Sequence, residues 1–465
     1  MPVSPLTPAS ADAISGPGNP EEASSATHIN LRAHAVSPSL PESYRSVPIL
    51  AGSSFLRKMI AFAGPGYLVA VGYMDPGNWA TDLGGGSRYG YTLLSAVLIS
   101  SLMAIFLQAL SAKLGIATGR DLAQACREHY SRRTTAVLWV LCEIAIAACD
   151  LAEVLGSAVA LKLLFGLPLL AGVLLTGFDV LLVLALQGRG FRVLETLVIT
   201  LIMTIGACFA YEIFFARPLW IEAARGFLPT AEILKNRDML YLAIGILGAT
   251  VMPHNLYLHS SIVQTRAFKL DAIGKREAVR FATLDSTLAL GFSLFINAAI
   301  LVLGAAAFHV RGMNDVADIS QAYQLLTPVL GASLASVLFA GALLCSGQNS
   351  TLTGTLAGQI VMEGFLHWRL KPWLRRLITR SVAIIPAALV IGFAGENKVT
   401  SLLILSQVIL SFQLPFAVIP LIQFTGDRSK MGEFANSRLT TVIAWVVAAA
   451  ILFFNAELVW LIFRS

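Results

Sequence analysis

Long apolar runs separated by short polar segments dominate the chain from about Phe55 onward. Each run is long enough for a helix that crosses the ~30 Å hydrocarbon core of a bilayer. Residues 1–56 differ, because they are rich in Ser, Pro, Ala and Glu and hold no apolar run. We therefore predict a disordered tail over 1–56 and a transmembrane domain over 57–465. Eleven spans are predicted, near residues 58–82, 90–112, 136–162, 166–187, 193–215, 239–263, 280–309, 329–362, 379–395, 400–424 and 439–463.

Composition supports a membrane protein and disfavours most soluble classes. Only 13% of the residues are charged and 56% are hydrophobic, whereas a soluble domain carries about 25% charged residues. The five cysteines are scattered and form no C-x-x-C pair, so neither a disulfide framework nor a zinc knuckle is indicated. The H-E-x-x-H protease motif and the Walker phosphate loop are also absent. An enzyme and an ATP-driven pump are therefore disfavoured, and no resident cofactor is expected.

The basic residues predict an orientation in the membrane. With the N-terminus inside, 24 of the 33 Lys and Arg residues fall on the inner side of the eleven-span scheme. They cluster at 120–133, 266–280 and 369–380. This bias follows the positive-inside rule, so we expect a multi-pass protein of the inner membrane with a cytoplasmic N-terminus, an external C-terminus and no nucleic-acid partner. One predicted outer loop is discordant, and a missed span there would upset the scheme; its basic residues are Arg217, Arg225, Lys235 and Arg237.

Two spans carry a polar interruption near the middle. The first span reads DPGN at 75–78, and the sixth reads MPHN at 252–255. Because proline removes a backbone donor and clashes with the preceding turn, we expect both helices to open there. An opened helix in lipid is tolerated only where it is buried in protein or lines a cavity. Interruptions at corresponding positions of two halves indicate a transporter's substrate site; the alternative is a pair of ordinary proline kinks.

The spacing of the two breaks predicts an internal repeat. Five spans separate them, so spans 1–5 and 6–10 form two halves. An odd number of spans per half gives the halves opposite orientations in the membrane. The predicted fold is therefore an all-α polytopic protein with an inverted 5+5 repeat, broken helices 1 and 6, and an eleventh helix left over.

The break residues have the chemistry of a metal site. A carboxylate such as Asp75 in mid-membrane costs at least ~2.5–3.5 kcal/mol, so it needs a partner, a proton or a cation. The opened helices offer the amide of Asn78, freed carbonyls near Gly72 and Ala249, and the thioether of Met252. This mixture suits Mn²⁺ or Fe²⁺ and disfavours Ca²⁺ and Mg²⁺. The alternative for Met252 is ordinary packing.

A second group of ionisable residues predicts a proton relay. Glu143, Asp150 and Glu153 are spaced by seven and three residues, which puts them on one face of the third span. His254 lies beside the second break, and Arg380 at the start of the ninth span is the obvious counter-charge. The alternatives are that Glu143 simply reaches water at a helix end and that Arg380 only marks the inner interface.

At 75–78 and 252–255 the sequence resembles the NRAMP family of divalent-metal transporters, particularly its bacterial manganese transporters. The resemblance runs from about residue 60 to the end and includes the segments 150–153, 187–190 and 411–416. It implies a LeuT-like fold and proton-coupled import of Mn²⁺ or Fe²⁺. In the family the metal contacts the positions matching Asp75, Asn78, the Ala249 carbonyl and Met252, and a polar position matching Gln407 joins the site in some conformations.

The resemblance also implies a route for protons and a selectivity. Magnesium-transporting relatives lack the methionine, so Met252 favours transition metals. The matched proton-pathway positions are Asp75, His254, Asp150, Glu153 and Arg380, with Glu143 further along.

The resulting hypothesis is a symporter that imports Mn²⁺, and also Fe²⁺, together with protons. Its expected partners are the metal ions, protons and the lipid bilayer, with no obligate protein partner. Two rivals remain open. One is a passive divalent-metal channel, which needs no acid relay. The other is a sodium-coupled amino-acid transporter of the same fold, in which Asp75 would repel the substrate carboxylate.

Overall fold

The structure is a computed structural model that describes residues 38–49, 52, 54–178, 190–314, 316, 318–366 and 371–464. These residues are almost wholly helical. One short parallel pairing joins Val47–Pro48 (β1) to Arg266–Ala267 (β2). Three sequence predictions fall partly outside the described residues, namely the tail at 1–37, the end of the fourth span at 179–187 and most of the 187–190 motif.

The first half of the chain begins with a broken helix. Its helices are α1 (Phe55–Phe62), α2 (Pro65–Gly72), α3 (Pro76–Tyr89), α4 (Leu94–Thr118), α5 (Leu122–His129), α6 (Arg132–Phe165), α7 (Leu169–Thr176) and α8 (Phe191–Ala216). Two short helices follow, α9 (Trp220–Gly226) and α10 (Glu232–Lys235). Both are too short to cross a bilayer, and they account for the segment between Arg217 and Arg237 that carries the discordant basic residues, so no span was missed there.

The second half also begins with a broken helix. Its helices are α11 (Arg237–Thr250), α12 (Pro253–Ile262), α13 (Ala272–Ala307), α14 (Ile319–Leu330), α15 (Ala335–Leu366), α16 (Pro372–Ala394), α17 (Val399–Gly426), α18 (Arg428–Met431) and α19 (Arg438–Arg464). Short 3-10 turns occur at Val263–Thr265, His309–Arg311, Glu396–Lys398 and Gly432–Phe434.

Seven helical segments of the described residues are long and apolar enough to cross a membrane by themselves. They are Leu94–Thr118, Arg132–Phe165, Phe191–Ala216, Arg237–Thr265, Ala272–Arg311, Val399–Gly426 and Arg438–Leu461. The other predicted spans fall short for local reasons. The first is divided by its break, and α15 carries many polar residues in mid-helix. The eighth predicted span also began too early, since Gly331 in the left-handed region separates α14 from α15.

The last part of the predicted tail is structured. Ser39, Leu40 and Val47 are buried, and β1 pairs with β2 more than 200 residues away. The prediction of disorder is therefore wrong for residues 38–49. The prediction considered only the apolar content of this segment. The surface that buries the segment comes from other parts of the chain.

The two broken helices lie at the centre of the bundle. The α2–α3 pair packs against α13, and the α11–α12 pair packs against α4 and α17. The long helices α6 and α15 run against each other and contact α3 and α12. Because both breaks are surrounded by helices, their free backbone groups face protein and not lipid.

Candidate metal site

Both predicted breaks are present, and each ends at a proline. The helix α2 stops at Gly72 and α3 starts at Pro76, while α11 stops at Thr250 and α12 starts at Pro253. Proline fits the first position of a helix because the N–H it lacks has no partner there. Asp75 is extended and caps α3 by accepting from the backbone N–H of Asn78 at 2.9 Å.

The two breaks meet at Asn78. Its Nδ2 donates to Asp75 Oδ1 at 2.7 Å, to the Ala249 carbonyl at 3.1 Å and to the Gly72 carbonyl at 3.2 Å. Asn255 makes the reciprocal cross-link, since its Nδ2 donates to the Val69 carbonyl at 3.4 Å. The asparagine after each break thus reaches a carbonyl before the other break, which places four of the predicted metal-site residues together.

The other two predicted residues border the same place. A Cβ added to Gly72 would lie 2.9 Å from Met252 Sδ, so the thioether packs directly on the end of α2. A Cβ at Gly77 would collide with the side chain of Gln407. Met252 is fully buried and belongs to the same small buried cluster as Cys149 of α6. Glycine at 72 and 77 is therefore required for close approach of the thioether and the amide.

Several acceptor atoms of the site have no hydrogen-bond partner. Asp75 Oδ2 and Gln407 Oε1 are both buried and unpartnered. The described residues hold no group of three or more His, Cys, Asp and Glu side chains arranged for a metal ion. The site is instead one carboxylate, two amides, two backbone carbonyls and a thioether, a donor set in which hard oxygen and soft sulfur are combined.

The predicted acid relay lies on α6 beside α15. A Cβ at Gly354 would be 3.0 Å from Glu153 Oε1 and 3.3 Å from Asp150 Oδ1, so both acids face the same glycine of α15. Arg380 Nη1 lies 3.5 Å from Glu153 Oε2, and all three side chains are buried. Thr351 contacts both members of the ion pair and donates to Glu153 Oε2 at 3.3 Å.

The remaining predicted proton-pathway residues occupy different surroundings. His254 is 2% exposed on the first turn of α12, and its Nδ1 has no partner. Glu143 is half-buried near the other end of α6, where it accepts from Trp139 Nε1 at 3.1 Å.

Polar residues that the sequence analysis did not single out support the first break. Gln108 of α4 donates to the Tyr73 hydroxyl at 2.9 Å and contacts His259 Nδ1 at 3.0 Å. Asn297 of α13 donates to Asn78 Oδ1 at 3.4 Å. A polar residue inside an otherwise apolar helix was the available signal, since Gln108 and Asn297 interrupt long apolar runs.

A cluster of buried charged residues forms hydrogen bonds with the backbone at the start of α2, and the sequence analysis missed it. Glu195 of α8 pairs with Arg266 at 2.8 Å and with Arg192 at 3.0 Å. Arg266 donates to the Ala63 carbonyl at 2.9 Å, and Asp285 of α13 accepts from the Gly66 N–H at 2.7 Å. These contacts fix the backbone just before the first broken helix.

Comparisons with known proteins show the family of the chain. Residues 66–461 match the family described as natural resistance-associated macrophage protein-like. A divalent metal cation transporter MntH from Nostoc sp. is 61% identical over 92% of this chain and 96% of its own length.

Solved structures give the same result for the fold. The crystal structure of the Eremococcus coleocola manganese transporter has a TM-score of 0.83 and 41% identity, and covers 90% of each chain. Mhp1, a nucleobase-cation-symport-1 family transporter, has a TM-score of 0.59 at 14% identity over 86% of this chain and 92% of its own, which bears on the fold alone. The predicted LeuT-like fold with broken helices 1 and 6 is confirmed. The chain belongs to the Nramp family.

Proposed function

We propose that this protein is a proton-coupled symporter that imports Mn²⁺, and also Fe²⁺, across the cytoplasmic membrane. It is a transporter and not an enzyme, and the metal is its substrate, not a resident cofactor. The names of its relatives support transport of divalent metal cations and, for the Eremococcus protein, of manganese. The proton and Fe²⁺ are inferred from the acids of this chain and from the donor set of its site.

The observation that carries the proposal is the convergence of acceptors on Asn78. One carboxylate oxygen and two carbonyls from opposite breaks accept from a single amide nitrogen. Such a cluster of acceptors around one donor is also what a cation requires, because the cation replaces the donor. Rotation of the Asn78 amide would add its oxygen as a further ligand, and the second oxygen of Asp75 is unpartnered and available.

The thioether of Met252 supports a transition metal in preference to Ca²⁺ or Mg²⁺. Hard cations bind oxygen and gain little from sulfur, whereas Mn²⁺ and Fe²⁺ accept both. In this site Met252 Sδ borders Gly72, whose carbonyl belongs to the acceptor cluster. The proposed ligands are therefore Asp75, Asn78, the Gly72 and Ala249 carbonyls and Met252, with Gln407 completing the set.

For the proton we propose a route through Asp75, His254, Asp150, Glu153 and Arg380, with Glu143 further along. Cys149 supports this continuity, because it belongs to the same small buried cluster as Met252 and its thiol lies 3.7 Å from Glu153 Oε1. Import is favoured by the membrane potential, since one elementary charge moved through 100 mV releases about 2.3 kcal/mol. We further propose the orientation predicted from the basic residues, with the N-terminus cytoplasmic and the C-terminus outside.

The test is Mn²⁺ uptake into proteoliposomes by Asp75→Ala. We expect uptake to fall to the background of empty vesicles, because the variant lacks the only carboxylate among the proposed ligands. Asp238→Ala, which removes an exposed acid at the start of α11, serves as the control and should transport normally. Undiminished uptake by Asp75→Ala contradicts the site.

The same vesicles separate the rival functions. A passive channel admits Mn²⁺ without acidifying the lumen, so a pH-sensitive dye inside the vesicles distinguishes it from a proton symporter. An amino-acid transporter predicts that an excess of amino acids slows Mn²⁺ uptake. We expect acidification that depends on Mn²⁺ and no competition by amino acids.

A further inference from the structure

An apolar groove lies at the end of the bundle where α8 ends, and the metal and proton routes do not use it. Its volume is about 910 Å³, and α8, α9 and α13 line it. Among its described lining residues, Arg217 alone is polar or charged. Phe214, Trp220 and Phe295 stand at the lining with their side chains more than half exposed. The groove is therefore open at the surface of the helix bundle and is not an enclosed cavity.

The wall formed by α9 is anchored to the helix bundle. The N–H of Leu219 donates to the Tyr91 hydroxyl at 3.2 Å. At the other end of α9, Gly226 approaches Tyr91 so closely that a Cβ would collide with the Tyr91 carbonyl. Ala223 between them is buried. A groove whose walls are already fixed loses little conformational entropy when it binds a ligand.

Arg217 occupies an unusual place in this groove. Its φ of 47° puts it in the left-handed region, which bulky residues rarely adopt. Its backbone N–H closes α8 by donating to the Ile213 carbonyl at 3.3 Å. Its side chain is exposed and, within the described part of the chain, makes no ion pair or hydrogen bond. The groove thus combines apolar walls with one uncompensated cation.

The rest of this segment is also short of ion pairs. Three further basic residues are exposed and unpaired in the described structure, namely Arg225, Lys235 and Arg237. Acidic residues are present in the same segment, namely Glu222, Glu232 and Asp238, and none of them lies within ion-pair distance of a base there. These are the basic residues whose position departs from the positive-inside bias, so orientation in the membrane does not account for them.

We propose that this groove binds an anionic phospholipid, with an acyl chain along the apolar walls and the phosphate on Arg217. An amphiphile matches the combination of a dry apolar groove and a single cation at its rim. Guanidinium groups bind phosphate with two parallel hydrogen bonds. Trp220, 65% exposed beside Arg217, is the residue type that concentrates at the membrane–water interface.

Other occupants fit less well. A free phosphate ion matches Arg217 but not the apolar walls. A second copy of this chain would bury Arg217, and none of the groove's described lining residues is a carboxylate that could compensate the charge. The proposal depends only on the protein being embedded in a bilayer, and it is independent of which metal is carried or how transport is coupled.

The test measures lipid binding to the full-length, delipidated protein in detergent by native mass spectrometry. The probes are phosphatidylglycerol and phosphatidylcholine with identical acyl chains. We expect wild type to retain phosphatidylglycerol at least about tenfold more strongly, and we expect two variants to abolish that preference. Arg217→Asn removes the cation, and asparagine tolerates a positive φ; Ala298→Phe fills the groove from α13.

The matched control is Arg237→Gln, which removes an equally exposed arginine outside the groove lining. The control should bind phosphatidylglycerol as wild type does. Equal losses in Arg217→Asn and Arg237→Gln would indicate general surface attraction and overturn the proposal. Unchanged binding in Ala298→Phe, or a change in oligomeric state without a change in lipid binding, also overturns it. Melting temperatures measured in parallel identify variants that fail to fold; if Arg217→Asn is one of them, Arg217→Gln, which also removes the cation, replaces it and should lose the lipid preference.

Discussion

Two buried glutamates on the same helix, α8, have opposite surroundings. Glu195 is paired with Arg266 and Arg192. Glu212 is fully buried five turns later, and neither of its carboxylate oxygens has a partner in the described structure. Breaking a buried pair leaves an uncompensated charge, whereas an isolated buried polar group is itself a cost. The same substitution should therefore have opposite effects at the two positions.

We predict that Glu195→Met lowers the free energy of unfolding by about 3–5 kcal/mol because it strands Arg266. Glu212→Met should raise it by about 1–3 kcal/mol because it removes an unsatisfied polar group. Thermal unfolding of the two purified variants in the same detergent measures both effects. A lower melting temperature for Glu212→Met would show that this carboxyl has a stabilising partner.

The proposed role of Met252 as a sulfur ligand leads to a separate prediction about selectivity among metal ions. In Met252→Ala the oxygen ligands remain and the sulfur is lost, so the advantage of soft metals should shrink. We expect Mn²⁺ uptake to weaken several-fold while Ca²⁺ and Mg²⁺ become effective competitors. Competitive uptake with each metal, for wild type and Met252→Ala, gives the answer. Continued exclusion of Ca²⁺ and Mg²⁺ would mean that the thioether does not set the selectivity.

The local sequence was enough to identify the candidate ligands in the apolar spans. It was not enough to identify the polar side chains that hold the first break in place through hydrogen bonds. Asp75 and Met252 stand next to prolines in apolar spans, so the local sequence alone made them visible. Gln108 and Asn297 also interrupt apolar runs, yet their targets, Tyr73 and Asn78, lie 35 and 219 residues away. Long-range pairing is not encoded in a local pattern, so those roles needed the structure.

Among the structural elements, the segment 38–49 forms a strap across the ends of several helices. Arg45 donates from its backbone to the Gln264 carbonyl at 3.0 Å and from its side chain to the Phe268 carbonyl at 2.8 Å. Ser39 donates to Asp121, the residue that caps α5. The strap leads directly into α1 and α2. Its contacts therefore connect the start of the first broken helix to the ends of α4 and α12.

Asp121 makes the strap sensitive to pH. Burial raises the pKa of this carboxyl from 3.8 to about 6, although the hydrogen bond from Ser39 and the charge of Arg127 oppose the shift. A raised acid pKa means that the folded state holds the proton more tightly. Its stabilising effect is complete below pH 3.8 and is lost as pH rises through about 6.

We therefore predict that wild type loses stability relative to Asp121→Asn between about pH 4 and pH 6, by about 3 kcal/mol in total at 1.36 kcal/mol per pKa unit. Asparagine is the matched control because it also caps helices but does not titrate. Thermal unfolding of both proteins across this pH range measures the difference, which should be constant above about pH 7. A difference that does not change with pH would show that folding does not raise the pKa of Asp121.

Elements that are determined by their own residues were predicted from the sequence, and elements that depend on distant residues were not. Both broken helices were predicted, because proline acts on its own turn of helix. The strap was not, because β1 has no apolar run and depends on β2 for pairing. The helix α15 exceeds the length of a span, but its many polar residues, among them Thr351, pack against α6 and hide it from a hydropathy criterion.

In the molecule as a whole, the proposed metal site and most of the proposed proton route lie on different helices. The proposed metal ligands come from α2, α3, α11 and α17 and the two breaks, whereas Asp150 and Glu153 lie on α6 against α15 and α16. Cys149 links the two regions, since it shares a small buried cluster with Met252 and its thiol lies 3.7 Å from Glu153 Oε1. A substitution in the acid pair should therefore affect proton movement and leave the metal ligands in place.

The prediction for coupling is that Glu153→Gln imports Mn²⁺ with several-fold fewer protons per metal ion and with a flatter dependence on external pH. Proteoliposomes that carry both a pH-sensitive dye and a Mn²⁺ indicator measure the two fluxes together. Because the substitution removes an acid that pairs with the buried Arg380, the double variant Glu153→Gln with Arg380→Gln provides the control for folding. If Glu153 only neutralises Arg380, the double variant should restore the wild-type ratio of protons to metal. If Glu153 carries the proton, both variants should stay uncoupled, because neither contains a carboxyl at this position.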